Sequence, residues 1–227
     1  MIPTVATEEE IECRVVLRRL FAAQQKIRAC RAKRIVIRGG RRGGKTTVLA
    51  TLAVEQFLAG RRVLYATPTA DQIERFWVEV KRALADPIER EIFYKNETLH
   101  VIEWPGTSAR IRAKTAWNPD MLRGDSADDL MLDEWQLCDE TMWSLVGAPM
   151  LLDNDGNAYF AYTPPSVEAM ARSKARDPRH AAKMYKDAVN DTTGRWAAFT
   201  FTSHDNPYLS STALDEITQD MTAIGYR

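Results

Sequence analysis

A chain of 227 residues, 45% of them hydrophobic, can bury one substantial core and is expected to form a single domain over 1–227, with room for a small appended subdomain. Residues 1–10 are polar and acidic and no later run of about eighteen apolar residues follows, which argues against a signal peptide or a membrane span and leaves a cytoplasmic protein. The net charge is zero, yet twelve basic and no acidic residues lie between Arg14 and Lys45, while carboxylates dominate 120–140; Cys13, Cys30 and Cys138 are too widely spaced for a disulfide framework or a zinc knuckle.

Thr7 and Glu10 form a capping box, and Ile11, Val15 and Leu20 supply the apolar face of an N-terminal helix running to Ala32. The basic run there reads first as a solvated helix face and second as an attractor of polyanions such as nucleotide or DNA. Ile35, Val36 and Ile37 make a β-branched strand, glycines follow, and Leu49, Leu52, Ala53 and Phe57 then repeat at helical spacing up to Gly60. A second strand, 63–67, stops at Pro68, and Ile73, Phe76, Trp77, Val80 and Leu84 mark an amphipathic helix that ends before Pro87. This alternation predicts an α/β fold with a central, mostly parallel sheet flanked by helices. Segments 99–104 and 109–114 flank Pro105, Gly106, Thr107 and Ser108 as a hairpin, with Arg110, Arg112 and Lys114 on one face. A third parallel strand, 130–132, ends at two acids, and a fourth, 158–163, ends at Pro164 and Pro165. Residues 169–191 turn basic and helical, 196–202 are strand-like, and 214–221 are helical.

Gly39, Gly40, Arg41, Arg42, Gly43, Gly44, Lys45 and Thr46 satisfy the phosphate-loop (Walker A) pattern between a predicted strand and a predicted helix, the context that the pattern requires. The expected architecture is therefore a P-loop NTPase of RecA/ASCE type. Backbone N–H groups from Gly40 to Thr47 would turn on the phosphates, Lys45 would neutralise the β and γ phosphates, and the Thr46 hydroxyl would ligate magnesium. The strand at 130–132 delivers Asp133 and Glu134, a Walker B pair, to the C-terminal edge of the sheet, where sites of such folds lie. Asp133 is expected to hold magnesium through a water and Glu134 to act as general base, the alternative for Glu134 being a solvated loop acid. Magnesium-dependent ATP hydrolysis follows, with ATP and Mg2+ as cofactors, and the adjacent acid favours hydrolysis over transfer to a bound acceptor.

Over residues 20–214 these motifs resemble the ATPase domain of the large terminase subunit, the DNA-packaging motor of tailed bacteriophages and related viruses. The likeness includes Arg41, four residues before Lys45, and the stretch from Trp104 to Ser108 through Leu122, Arg123 and Gly124, shortly before Leu132, Asp133 and Glu134. It also includes Tyr162, Thr163 and Pro164, which look like the family's coupling motif, and Asp205, Asn206 and Pro207, which look like its recurrent Asp-Asn-Pro. The resemblance implies that Gln24, or in another register Gln25, recognises adenine, a solvated helix glutamine being the alternative. It implies that Arg123 reaches a neighbouring subunit's ATP, the alternative being an ion pair with Asp125, Asp128 or Asp129. Arg41 would serve the same charge within its own subunit or act as a structural brace, and Thr163 would sense hydrolysis. The implied assembly is a homo-oligomeric ring, monomeric in isolation, that drives double-stranded DNA into a procapsid with a portal protein and a small terminase subunit as partners.

Family members usually continue into an RNase-H-like nuclease domain with a carboxylate cluster, and this sequence stops near where that domain would start, so an isolated ATPase domain is expected, with 170–227 as a lid-like subdomain. Asp153, Asp155 and Asn157 read as a turn rather than a calcium loop, because Ala158 stands where glycine is required and Pro164 at the glutamate position. His100, His180 and His204 show no metal-ligand spacing. DNA contacts would come from Arg110, Arg112 and Lys114 or from the basic stretch 172–186. Two other functions fit the motifs: a helicase or remodelling ATPase, which generally needs a second RecA-like domain, and a slow nucleotide-gated binding module in which Asp133 and Glu134 serve as a switch.

Overall fold

The computed structural model describes residues 12–116, 118–164 and 173–220. Among them the β-branched and alternating segments form β1 (Arg34–Gly39), β2 (Arg62–Thr67), β3 (Tyr94–Asn96), β4 (Val101–Glu103), β5 (Arg110–Thr115), β6 (Asp129–Leu132), β7 (Asn157–Tyr162) and β8 (Trp196–Phe201). They make one sheet in the order β3-β4-β5-β2-β6-β7-β1-β8. From β5 to β8 every pairing is parallel, and β3 and β4 extend the sheet as an antiparallel edge. The expected hairpin is the β4–β5 pair, whereas β3, three residues long, carries too little pattern to be read beforehand.

Strand periodicity divides the core into two layers. Ile35, Ile37, Val63, Tyr65, Met131, Tyr159 and Ala161 face one side, where they meet α2 (Lys45–Leu58) and α3 (Ala70–Ala83) through Phe57, Phe76 and Trp77. Val36, Leu64, Leu130, Leu132, Ala158 and Phe160 face the other, against Trp135 and Ala181 and Ala188 of α5 (His180–Val189). Burying both faces is what near-continuous apolar strands require.

The N-terminal helix is shorter than the pattern predicts. Thr7, Glu10 and Ile11 lie outside the described residues, and 12–20 form no helix; α1 spans Ala22–Ala29 only. The preceding stretch crosses α3 and α4 (Ala85–Glu89), with Val16 N–H donating to the Ala83 carbonyl at 3.0 Å, Arg14 N–H to Asp86 at 2.6 Å, and Arg18 paired with Glu79 at 2.7 Å. Tertiary partners for the backbone outweigh helix propensity here. Arg18, Arg28 and Lys33 pair with Glu79, Glu55 and Asp155, so part of the basic run is neutralised within the molecule. Pro87 does not simply end α3: the helix breaks at Leu84, and Pro87 occupies the first turn of α4, where no intrahelical N–H is needed. The C-terminal helix α6 runs over Ser211–Asp220, earlier than its apolar signal, and Met221 lies outside the described residues. No helix among the described residues is long and apolar enough to cross a membrane.

Candidate active site

Parallel strands deliver their C-terminal ends to one edge, and the order of strands decides which ends become neighbours. β7 lies between β6 and β1. The loop after β1, the acids after β6 and Thr163 after β7 are thereby brought side by side, although 87 residues separate Thr46 from Asp133 in sequence.

The phosphate loop folds as its glycines demand. Gly44 sits at φ 92°, and a Cβ there would stand 2.6 Å from Gln24 Nε2; a Cβ on Gly39 would stand 2.6 Å from Lys45 Cγ. Two amides of the loop are committed within the protein: Gly40 N–H donates to the Phe201 carbonyl at 3.0 Å and Gly43 N–H to the Gly40 carbonyl at 3.1 Å. The N–H groups of Lys45, Thr46 and Thr47, in the first turn of α2, have no intrahelical acceptor and present the helix N-terminus to an anion.

Lys45 is only 6% exposed. Its ammonium donates to Thr163 Oγ1 at 2.7 Å, reaches the Gly39 and Gly40 carbonyls at 3.3 and 3.4 Å, and stands 3.8 Å from Glu134 Oε1. The Thr46 hydroxyl donates to Asp133 Oδ2 at 2.7 Å, and the buried Tyr65 hydroxyl donates to the same oxygen at 2.9 Å. Burial, reinforced by Asp133, holds the Tyr65 phenol well above its usual range, so it remains a neutral donor. Glu134 N–H donates to Asp133 Oδ1 at 2.9 Å. Asp133 thus accepts only from neutral donors, with the Thr46 hydroxyl oxygen beside it, a pair of hard oxygen ligands suited to magnesium. No cluster of three or more His, Cys, Asp or Glu able to hold a metal alone occurs among the described residues, and magnesium needs none where phosphates complete its shell. Glu134, held at φ 49°, keeps its side chain 28% exposed at the mouth of the site. Burial pushes the nearby Cys138 thiol up, leaving it a packing group.

Several predicted residues take places that the sequence alone does not specify. Gln24 is buried: its amide donates to the Gly44 carbonyl at 2.9 Å and its carbonyl accepts Phe21 N–H at 3.2 Å, so it braces the phosphate loop, while Gln25 donates to the Leu20 carbonyl. Arg41 is exposed, and it is its backbone carbonyl that is braced, by Ser203 Oγ at 2.5 Å. Arg123 pairs with none of Asp125, Asp128 and Asp129. Those acids serve Arg112 and Lys114, Arg62, and Arg61 respectively, and Arg123 meets Asp120 at 2.5 Å in a pair whose two side chains are 60% and 76% exposed. The basic face of β5 is likewise committed, because Arg112 and Lys114 share Asp125 and Arg110 donates to the Ser126 carbonyl. Of the alternative stretch, Arg172 lies outside the described residues and Lys183 pairs with Asp177. His180 is buried between the Trp135 and Asp177 carbonyls and His100 packs edge-on against Trp77.

What the loop after β8 touches is not legible in the sequence. Phe201 packs against Gly39 and Gly43, Ser203 holds the Arg41 carbonyl, and Asn206 Nδ2 donates to the Arg42 carbonyl at 2.9 Å, where Arg42 takes φ 57°. The Asp-Asn-Pro signal was visible; its target, 164 residues upstream of Asn206, was not. Asn206→Ala removes one neutral hydrogen bond, about 0.5–1.5 kcal/mol, so nucleotide affinity is expected to fall by roughly two- to tenfold in equilibrium binding. An unchanged dissociation constant would show the brace to be idle.

No protein-family model matches the chain, and no curated protein sequence does. Solved structures do. The large terminase ATPase domain of Thermus phage P74-26 superposes with a TM-score of 0.62 at 22% identity, over 81% of this chain and 80% of that one. A large terminase from a thermophilic bacteriophage, in complex with ADP, gives 0.68 at 16% identity, over 91% of this chain and 52% of that one. The HK97 bacteriophage large terminase gives 0.67 at 13% identity, over 90% and 48%. The chain therefore has the fold of large terminase ATPase domains, as the motifs imply, and spans about half the length of the latter two proteins.

Proposed function

We propose that the chain is the ATP-hydrolysing domain of a viral genome-packaging motor. The observation that carries this reading is the convergence of Lys45, Thr46, Asp133, Glu134 and Thr163 at one sheet edge, on a fold shared with large terminase ATPase domains. Thr46 and Asp133 would hold magnesium, which when bound neutralises charge on the phosphate oxygens. Glu134 accepts a proton from water as the water oxygen bonds to the γ-phosphorus; the bond to the β–γ bridging oxygen breaks, and its electron pair leaves with ADP. Lys45 exchanges its protein acceptors for the β and γ phosphates. Arg41 in the same subunit and Arg123 from a neighbouring copy supply further positive charge, Arg123 because its exposed pairing with Asp120 costs little to break. In this reading, Thr163 couples hydrolysis to movement of double-stranded DNA into a procapsid, within a ring in the host cytoplasm that meets a portal protein and a small terminase subunit.

The test is steady-state ATP hydrolysis with magnesium, alone, with duplex DNA and at rising protein concentration. Turnover per chain is expected to rise with both, and the DNA effect to fade with salt because phosphate contacts release counterions. Hydrolysis that ignores DNA and concentration would favour the slow nucleotide-gated module instead, and strand separation would favour a helicase.

A further inference from the structure

Gln136 is 4% exposed and both ends of its amide are engaged. Its Nε2 donates to Glu134 Oε2 at 2.6 Å, and its Oε1 accepts the Thr163 backbone N–H at 3.3 Å. The other carboxylate oxygen of Glu134 lies 3.8 Å from Lys45 Nζ, and Lys45 donates to Thr163 Oγ1 at 2.7 Å. Lys45, Thr163, Gln136 and Glu134 therefore close a ring of polar contacts that joins the ends of β1, β7 and β6. Such a buried amide is held in one rotamer by its partners, and a shift of either partner displaces the other.

We propose that Gln136 is a positioning residue that sets the orientation of the Glu134 carboxylate according to the state of Thr163. The proposal rests on the reading of Glu134 as the base. A γ-phosphate competes with Thr163 Oγ1 for the Lys45 ammonium, because a charged acceptor outbids a hydroxyl. Thr163 is then free to move, and the movement of its backbone N–H passes through the Gln136 amide to Glu134 Oε2. The base is aligned only when the triphosphate is present. ADP engages Lys45 through the β-phosphate alone and, lacking the γ-phosphate, leaves the ammonium a donor free to stay on Thr163 Oγ1. The fold supports this route, since β7 separates the phosphate loop from the acids and its end is the one that touches both.

The test compares Gln136→Met, close in size and unable to make either bond, with wild type, Glu134→Gln, Thr163→Val and the double variant Gln136→Met/Thr163→Val. Measured for each are kcat, the dissociation constant for a non-hydrolysable ATP analogue, and thermal stability. Gln136→Met is expected to lower kcat by about tenfold, one orientation bond's worth, while ATP-analogue affinity changes by less than about twofold. The double variant is expected to lose no more than the weaker of its parents, because both cut one line of contacts. Should Gln136→Met fold poorly, Gln136→Glu keeps an acceptor for Thr163 N–H but sets an acid against Glu134, and the same split between kcat and affinity is expected. Unchanged or raised turnover, losses shared equally by kcat and affinity, or additive losses in the double variant overturn the relay. A Glu134→Gln variant that turns over ATP within about threefold of wild type overturns the reading beneath it, which is a separate result.

Discussion

Glu134→Gln is expected to lower kcat for ATP hydrolysis by roughly 10²–10³-fold while leaving ATP binding close to wild type, the size of effect that a positioned general base contributes. The structure sets the two acids in different surroundings. Asp133 is buried and tied to Thr46, Tyr65 and the Glu134 N–H, so its loss would disturb the proposed magnesium ligands and the loop together. Glu134 touches Gln136 and approaches Lys45, yet its carboxylate still reaches solvent. The amide of the variant can still accept from Gln136, so the geometry survives while the proton acceptor is lost. The check is single-turnover hydrolysis beside equilibrium binding of a fluorescent ATP analogue. Turnover within about threefold of wild type, well short of what a general base contributes, would remove Glu134 from the chemistry and leave it a solvated loop acid.

What the sequence discloses of this site is what depends on local backbone rules. The loop from Gly39 to Thr46 is legible because positive φ and close approach to Gln24 and Lys45 admit only glycine, and a strand before and a helix after it complete the context. Asp133 and Glu134 are legible because three apolar residues lead into two acids. Gln136 is not, since a glutamine two positions past Glu134 has no spacing signal, and its partner Thr163 becomes a neighbour only through the strand order. The same holds for Ser203 and Asn206, whose targets lie on the far side of the sequence. The stretch before α1 fails in the opposite sense: Val15 and Leu20 fit a helix, but the Ala83 carbonyl and Asp86 offer the backbone partners outside one. Arg123 shows a further limit. Acids surround it, and the one it meets, Asp120, lies three residues before it rather than among those that follow. Charge proximity along the chain says that a partner exists, and the fold says which.

Lys45→Ala is expected to abolish hydrolysis, with kcat/KM down by at least about 100-fold, because it removes the charge proposed to meet the β and γ phosphates. It also strips the donor from Thr163 Oγ1 and from the Gly39 and Gly40 carbonyls, so some loss of thermal stability accompanies it, and circular dichroism should confirm that the variant is folded. This variant is then the instrument for Arg123. Arg123→Ala keeps a complete phosphate loop and the proposed base but lacks the arginine; Lys45→Ala keeps the arginine and lacks the loop's lysine. If Arg123 acts across a subunit boundary, mixing the two inactive proteins restores activity, since an Arg123→Ala site receives the arginine of a Lys45→Ala neighbour. Asp120→Ala frees Arg123 from its own-chain partner at little cost, the pair being exposed on both sides, and should leave folding unchanged. Restoration that rises with total protein concentration identifies a contact between copies. A mixture no more active than its parts at any concentration would confine Arg123 to its ion pair with Asp120, and the charge on the γ-phosphate would then fall to Lys45 and Arg41 within one chain.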